Sequence, residues 1–241
     1  MSSNRETTKS ETAKGGIDPA SMKSGFADFM IRSGAVRFGS FTLKSGRASP
    51  YFINLGVLGD GESIARLGEF YARALVAYGL AEKPDILFGP SYKGIPIAVS
   101  TAIALAKNHG VPMRFAFNRK EAKGHGEGGL IIGSPLKDGD RVGLLDDVMT
   151  TGKTKEETLD TIRSAAKVEV SYVLIAVDRM ERGETDLQAT EEFSQKYGIP
   201  VRSIANIREI AGSAAAGSMV TPERMQSINE YLKAYGGKAR V

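Results

Sequence analysis

Strands and helices alternate along this chain from about residue 85 onward, and this alternation restricts the fold more than any other feature of the sequence. Short apolar runs, such as residues 142–145, have the length and composition of strands that are buried on both faces. Longer segments with apolar residues at helical spacing, such as residues 94–109, follow these runs. The succession predicts an α/β fold with a mostly parallel central sheet flanked by helices. Ligand-binding residues are therefore expected at the carboxyl ends of the strands.

The same pattern predicts where the individual elements lie. Strands are expected within residues 38–54, around a turn, and at 85–88, 113–117, 141–145, 170–177 and 201–207. Helices are expected from Met22 to about residue 34 and at 61–79, 94–109, 153–166, 187–197 and 221–235. Residues 1–21 are polar and predict a disordered N-terminal tail, which leaves residues 22–241 as a single domain.

Composition excludes several kinds of site. The chain has no cysteine, and His109 and His125 are its only histidines, so disulfides, thiolate catalysis and multi-histidine metal sites are excluded. The net charge of +4 is too small to indicate nucleic-acid binding. No apolar run approaches the length of a membrane span, and the N-terminus lacks the apolar core of a signal peptide. We therefore expect a cytoplasmic protein that binds neither nucleic acid nor membranes.

The segment after the apolar run 142–145 combines two carboxylates with a turn rich in hydroxyls and glycine. Asp146 and Asp147 can accept hydrogen bonds from sugar hydroxyls. The turn around Gly152 opens a helix whose N-terminal N–H groups can bind a phosphate. A Walker A loop would require glycine at the position of Asp147, where a carboxylate would repel phosphates. The segment therefore predicts a site for a phosphorylated ribose, and the alternative is a strand–turn–helix joint that acidic residues merely stabilise.

Two further segments carry cations that suit a diphosphate. Residues 88–96 form a turn of small residues between a strand and a helix, to which Lys93 adds a positive charge. Residues 118–129 interleave four glycines with three fixed cations and His125, so this loop is expected to be mobile. Its cations can stabilise a doubly charged leaving group. The alternatives are a linker with an exposed lysine and a solvated hairpin tip.

Two other segments carry side chains that can bind a planar base or a carboxylate, namely residues 41–54 and 178–179. An aromatic side chain beside the polar turn in 41–54 can stack on a base, although a hairpin with core aromatics is the simpler interpretation. Arg179 follows the strand 170–177, where a guanidinium can bind a carboxylate through two hydrogen bonds. A surface pair of Asp178 with Arg179 is an equally good interpretation.

Together these five segments resemble the orotate phosphoribosyltransferases, within the type I phosphoribosyltransferases, from about residue 22 to residue 235. The loop 119–126 and the segments 44–47 and 49–52 are the specific parts of the resemblance, whereas other phosphoribosyltransferases share the loop 144–154. The resemblance implies the type I phosphoribosyltransferase fold, with a core at about 85–210 and a small hood over the active site. It also implies the Mg²⁺-dependent reaction of orotate with phosphoribosyl diphosphate (PRPP) in pyrimidine synthesis. The implied assembly is a homodimer in which the loop 118–129 closes over the neighbouring active site.

The resemblance assigns roles to the residues that match the family's motifs. Catalytic roles are implied for Arg119, Lys120, Lys123, His125, Asp146 and Asp147. PRPP binding is implied for these six residues and for Lys44, Tyr92, Lys93, Val148, Met149, Thr150, Thr151, Gly152, Lys153 and Thr154. Orotate binding is implied for Lys44, Phe52, Ile53, Thr150 and Arg179. No side chain is implied as a direct metal ligand, because PRPP and water hold most of the Mg²⁺.

Two residues depart from the pattern of some family members, which have a second phenylalanine in place of Ile53 and a small residue in place of Lys153. A backbone contact at Ile53 is compatible with this change, but stacking by its side chain is not. A purine or uracil phosphoribosyltransferase would share the loop 144–154 but would leave Arg179 and the loop 119–125 unexplained. A PRPP-binding regulator of RNA or DNA would require a basic patch or an added DNA-binding segment, and neither is evident.

Overall fold

A six-stranded sheet forms the centre of the protein, whose computed structural model describes residues 16–43, 46–120, 130–150 and 152–239. The strands are β1 (Val36–Thr42), β2 (Ala48–Ile53), β3 (Ile86–Gly89), β4 (Arg114–Asn118), β5 (Ile131–Gly133), β6 (Arg141–Val148), β7 (Glu169–Asp178) and β8 (Val201–Asn206). The helices are α1 (Pro19–Arg32), α2 (Gly61–Ala77), α3 (Gly94–His109), α4 (Lys153–Ala165), α5 (Ala189–Tyr197), α6 (Ile207–Ala216) and α7 (Pro222–Tyr235). The order in the sheet is β5-β4-β3-β6-β7-β8, in which β5 is antiparallel to β4 and all other pairings are parallel.

Helices cover both faces of this sheet because its central strands are apolar on both sides. Leu145 lies in one core together with buried residues of α1, α2, α3, α6 and α7. Its neighbour Leu144 lies in a second core, with buried residues of α4 and α5. Successive residues of a strand point to opposite faces, so one strand contributes to both cores. The predicted α/β fold with a mostly parallel sheet is confirmed.

The structure also differs from the predicted elements. Helix α1 begins at Pro19, before the predicted Met22, because the Asp18 carboxylate accepts hydrogen bonds from the backbone N–H groups of Ala20 and Ser21. Helix α6 and strand β5 were not predicted at all. The rest of the predicted tail, residues 1–15, lies outside the described residues.

The antiparallel hairpin of β1 and β2 packs at the carboxyl end of β7. Its register pairs Val36 with Ile53 and Phe38 with Tyr51. The Tyr51 hydroxyl donates to the carbonyl oxygen of Arg179 at 3.2 Å, just beyond the last residue of β7. This hairpin therefore lies at the end of the sheet where a ligand is expected. None of the described helices has the length and apolar character that crossing a bilayer requires.

Candidate active site

Asp146 and Asp147 lie within β6, near its carboxyl end, rather than after the strand as the sequence predicted. The strand is longer because its pairing with β7 continues as far as Val148. Both acids are largely buried, with exposed fractions of 6% and 8%. One oxygen of each carboxylate accepts a hydrogen bond from the next backbone N–H, at 2.9 Å for Asp146 and 2.8 Å for Asp147. These local bonds fix the orientation of both carboxylates.

A lysine from another element binds the second oxygen of each carboxylate. Lys93, just before α3, lies 2.7 Å from Asp147 Oδ2, and Lys155, in the first turn of α4, lies 2.6 Å from Asp146 Oδ2. The two lysines differ in exposure, because the Lys93 side chain is 48% exposed and Lys155 is buried. Burial raises the pKa of Asp146 above its usual range; Lys155 opposes this rise and Asp147 adds to it. Sequence reasoning missed Lys155, since it follows no motif and looks like an ordinary helical lysine.

Helices α3 and α4 begin at this end of the sheet, and no described side chain caps the N-terminus of either. Gly152 precedes α4 with a φ of 79°, a left-handed conformation that favours glycine. Described side chains do cap four other helices, namely α1 by Asp18, α2 by Asp60, α6 by Asn206 and α7 by Thr221. In α3 the N–H groups of Gly94 and Ile95 donate to the carbonyl oxygens of Pro90 and Tyr92. In α4 the N–H groups of Lys153 and Thr154 have no acceptor among the described residues, so this helix end is open to an anion, which the helix dipole also favours.

The turn between β3 and α3 is closely packed. A Cβ atom on Gly89 would lie 2.0 Å from the carbonyl oxygen of Gly94, and one on Gly94 would lie 2.5 Å from Pro90 Cδ. The packing of the turn itself thus accounts for these two glycines.

This turn also contacts the residues that begin the predicted mobile loop. The backbone N–H of Ser91 donates to Asn118 Oδ1 at 3.0 Å, which ties the turn to the end of β4. Lys120 Nζ lies 5.0 Å from the centre of the Tyr92 ring, and Tyr92 is 67% exposed. Lys93, which binds Asp147, belongs to the same turn, so the turn connects the acidic pair with Tyr92 and Lys120.

Arg179 is buried just beyond the end of β7, where Glu181 binds it. Arg179 Nε and Nη2 donate to Glu181 Oε1 at 3.0 and 2.6 Å. Met180, between them, has a φ of 57°, which is uncommon for a residue with a side chain. The predicted alternative of a surface pair with Asp178 is wrong, because Arg179 is only 6% exposed and Asp178 accepts instead from the Met180 N–H.

Glu181 also binds groups from two other parts of the chain. Its Oε1 accepts hydrogen bonds from the hydroxyls of Tyr51 in β2 and Tyr231 in α7, and its Oε2 accepts one from Arg47. Burial alone would raise the pKa of Glu181, but Arg179, together with the hydrogen bond from Tyr51 and the charge of Arg47, lowers this pKa below its usual value. Two guanidiniums and one carboxylate leave a net positive charge, which suits an anionic ligand. Sequence reasoning missed Glu181 and Arg47, although Glu181 lies only two residues after the predicted Arg179.

Four other predicted residues differ in what their side chains can offer a ligand. Phe52 stacks on Phe41, with 5.6 Å between ring centres. Ile53 is 9% exposed and belongs to the hydrophobic core, so only its backbone is available. Met149 is likewise buried in the core, whereas Thr150 is exposed. The predicted site residues Lys44, Lys123, His125 and Thr151 lie outside the described residues.

Comparison with known proteins gives consistent matches. The model of the phosphoribosyl transferase domain family matches residues 56–201. The orotate phosphoribosyltransferase of Bifidobacterium adolescentis is 46% identical over 228 residues, which cover 90% of this chain and 99% of that protein. The orotate phosphoribosyltransferase of Pseudomonas fluorescens is 49% identical over 185 residues, covering 77% of this chain and 85% of that protein. The solved structure of orotate phosphoribosyltransferase from Francisella tularensis matches with a TM-score of 0.77 and 33% identity, covering 88% of this chain and all of that one. The domain match contains both acids of β6 and both lysines that bind them.

Proposed function

This chain belongs to the orotate phosphoribosyltransferase family, and we propose that it transfers the phosphoribosyl group of PRPP to orotate. The products are orotidine 5′-monophosphate and diphosphate, and the pathway is pyrimidine (UMP) biosynthesis. The observation that carries this proposal is the acidic pair Asp146–Asp147, which a short loop connects to the N-terminus of α4, where no described side chain caps the helix. Two carboxylates beside an anion-binding helix end suit a ribose that carries a 5′-phosphate.

The reaction exchanges one bond at the anomeric carbon of the ribose. The bond from orotate N1 to C1′ forms as the bond from C1′ to the diphosphate oxygen breaks. The electron pair leaves with the diphosphate, and N1 loses its proton. Positive charge develops on the sugar and negative charge on the leaving group. Catalysis therefore requires anions near the sugar and cations near the diphosphate.

The two acids and the nearby lysines supply these charges. Asp146 and Asp147 accept hydrogen bonds from the ribose hydroxyls, and their negative charge stabilises the sugar as it becomes positive. Backbone N–H groups of residues 149–154 bind the 5′-phosphate. The side chain of Lys93 is 48% exposed, so its ammonium group can move from Asp147 to an oxygen of the diphosphate. Lys120, beside Tyr92, adds a second cation on that side.

The cluster around Glu181 is the proposed site for orotate. Arg47, Arg179 and Glu181 together carry one net positive charge, which matches the single carboxylate of orotate. Phe52 follows Tyr51 in β2, so its ring, stacked on Phe41, faces the other side of the hairpin from Glu181, and its proposed contact with orotate is through its backbone. Arg179 Nη1 is the guanidinium nitrogen that Glu181 leaves available.

Dependence on Mg²⁺ belongs to the same proposal. Among the described residues, no three acidic or histidine side chains cluster closely enough to hold a metal ion. Each oxygen of Asp146 and Asp147 already has a partner. This donor set fits an ion that PRPP oxygens and water hold, with the two acids as acceptors for the water ligands. When bound, Mg²⁺ neutralises part of the charge that develops on the diphosphate.

We also propose that the protein is a homodimer whose subunits exchange the loop 118–129. The proposed location is the cytoplasm. Arg119 and Lys120 begin this loop beside the diphosphate turn, while residues 121–129 lie outside the described residues. We place the proposed contact between subunits at a groove of about 680 Å³ between α2 and α3, where Ile103 is 53% exposed.

The direct test is the loss of orotate absorbance when purified protein is mixed with PRPP and Mg²⁺. Parallel reactions contain uracil or hypoxanthine, and a further reaction contains a chelator. Consumption of orotate alone, abolished by the chelator, is the expected result. Consumption of hypoxanthine or uracil in preference to orotate would favour the related phosphoribosyltransferases instead.

A further inference from the structure

Lys155 is a buried lysine in direct contact with one acid of the proposed ribose site. It is 5% exposed, and its Nζ lies 2.6 Å from Asp146 Oδ2. The same Nζ donates to the carbonyl oxygen of Val148 at 2.6 Å. Burying an ammonium group is unfavourable unless a partner compensates its charge. Both contacts of Lys155 therefore hold it firmly against the end of β6.

Several charged and titratable groups surround Asp146, and among those described only Lys155 pairs with its carboxylate. From α2, the Tyr71 hydroxyl donates to the carbonyl oxygen of Asp146, not to its carboxylate. From the turn before α3, Lys93 pairs with Asp147 instead. Asp147 itself, the next residue of β6, contributes a second negative charge. Among the described residues, Lys155 is therefore the one cation at ion-pair distance from Asp146.

We propose that Lys155 is a positioning residue for Asp146, which it holds as a fixed anion while it ties the first turn of α4 to the end of β6. The inference rests on the proposed function, because it assumes that Asp146 binds the ribose of PRPP. Lys155 directly follows the loop 148–154, which would surround the 5′-phosphate. Through its contacts with Asp146 and Val148, it joins the two ends of this loop. Lys155 thus acts on the sugar-binding acid and on the shape of the phosphate loop together.

Removing the charge of Lys155 should change the protonation of Asp146. Burial and the neighbouring Asp147 already raise the pKa of Asp146, and Lys155 is the opposing influence. Lys155→Met keeps a long apolar stem but lacks the ammonium group, so the pKa of Asp146 should rise further. A protonated Asp146 has less capacity to accept hydrogen bonds from ribose. The acidic limb of kcat/KM for PRPP should therefore move to higher pH.

The experiment compares wild type, Lys155→Met, Lys155→Arg and the control Lys196→Met. Lys196 also makes an ion pair with α4, through Glu156 at 2.8 Å, but its side chain is 56% exposed. Two readouts are measured against pH for each protein. One is kcat/KM for PRPP in orotate consumption, and the other is the ¹³C carboxyl resonance of Asp146, assigned with Asp146→Asn.

Lys155→Met should lower kcat/KM by about 10- to 100-fold, as loss of a group that orients a ligand-binding side chain does at metal sites. It should also move both the acidic limb and the carboxyl titration to higher pH, whereas Lys196→Met should match wild type. Lys155→Arg keeps the cation, so its acidic limb should stay near that of wild type even if turnover falls.

Two results would overturn the positioning role. One is a Lys155→Met protein whose acidic limb and carboxyl titration equal those of wild type. The other, which applies even if Lys155→Met does not fold, is a Lys155→Arg protein whose Asp146 titrates at clearly higher pH than in wild type. A wild-type protein that does not consume orotate would contradict the proposed function, while the carboxyl titration would still decide whether Lys155 keeps Asp146 ionised.

Discussion

One edge of the Arg179 guanidinium is already bound by Glu181, so Arg179 can offer an incoming anion only its remaining N–H groups. Arg47 shares the same carboxylate from the opposite side. Removing one partner of a buried ion pair typically costs about 3–5 kcal/mol, because the other charge stays buried without compensation. Among the described residues, Glu181 is the one acidic partner of both arginines.

Glu181→Gln should destabilise the protein by about 3 kcal/mol at neutral pH, since two arginines lose their counter-charge. The pKa of Glu181 in the folded protein lies below its ordinary value of 4.5. Its ionisation therefore stabilises the fold fully above the ordinary pKa, and this contribution is lost as the pH falls through the lowered pKa. The difference in unfolding free energy between wild type and variant should shrink below pH 4.5, which urea unfolding at a series of pH values measures.

Asp186→Asn provides the matched control for this prediction. Asp186 pairs with Lys238 in the same region of the chain, but both side chains are about three-quarters exposed. Its loss should change stability by less than about 1 kcal/mol. An equally small effect of Glu181→Gln, or an effect that does not vary with pH, would show that the buried cluster is not held by this carboxylate.

The β3–α3 turn connects the sheet to the proposed diphosphate site, and its geometry depends on Gly89. Gly89→Ala would place a methyl group 2.0 Å from a backbone oxygen that cannot rotate away. We expect a loss of about 1–3 kcal/mol, as for other overpacked sites, and a higher KM for PRPP because Lys93 is displaced. Denaturant midpoints and PRPP kinetics measure the two effects.

Gly212→Ala is the control, because an added Cβ there meets nothing within 4 Å. Gly212 lies on the exposed side of α6, where alanine should stabilise the helix by about 1 kcal/mol. If Gly89→Ala were as stable as wild type, the turn would not be packed as described.

The elements that the sequence predicted well are those with a strong local signal. Apolar periodicity in the sequence indicates the buried strands and the amphipathic helices, and for this reason the parallel sheet could be predicted. Strand β5 has only three residues, too few for a period. Helix α6 was missed although a local signal exists, the reciprocal capping of Asn206 and Glu209.

The candidate site was predictable only where a short motif carries it. Such motifs contain Asp146, Asp147 and Lys93. In the structure, Lys93 forms an ion pair with Asp147. Arg47 and Glu181 are 134 residues apart, and no periodicity reports a contact over that separation. Lys155 is close to Asp146 in sequence, but their pairing depends on how the loop turns back between them.

For the whole molecule, the proposed exchange of the loop 118–129 predicts complementation between two defective variants. Lys123→Ala removes a cation of this loop, and Asp147→Asn removes an acid of the sheet. If each active site combines the loop of one subunit with the acids of the other, a mixed dimer has one site with both defects and one site with neither. Mixed subunits should then regain orotate consumption, approaching half of wild-type activity for a pure heterodimer.

Each variant alone gives the baseline, and subunit exchange is verified with two distinguishable tags. Lys123→Ala alone should lose about 10²- to 10³-fold in turnover, as removal of one charge-stabilising group does. Exchange that is verified but restores no activity would mean that each loop serves the active site of its own subunit.

Phosphorus NMR of a reaction with PRPP, Mg²⁺ and orotate tests the proposed transfer most directly, because it follows both products at once. The signals of PRPP should be replaced by those of orotidine 5′-monophosphate and diphosphate in equal amounts. They should persist when hypoxanthine replaces orotate, and Asp147→Asn should slow the conversion strongly. Diphosphate released without an equal amount of nucleotide, or nucleotide formed from hypoxanthine in preference to orotate, would contradict the assignment of this chain as an orotate phosphoribosyltransferase.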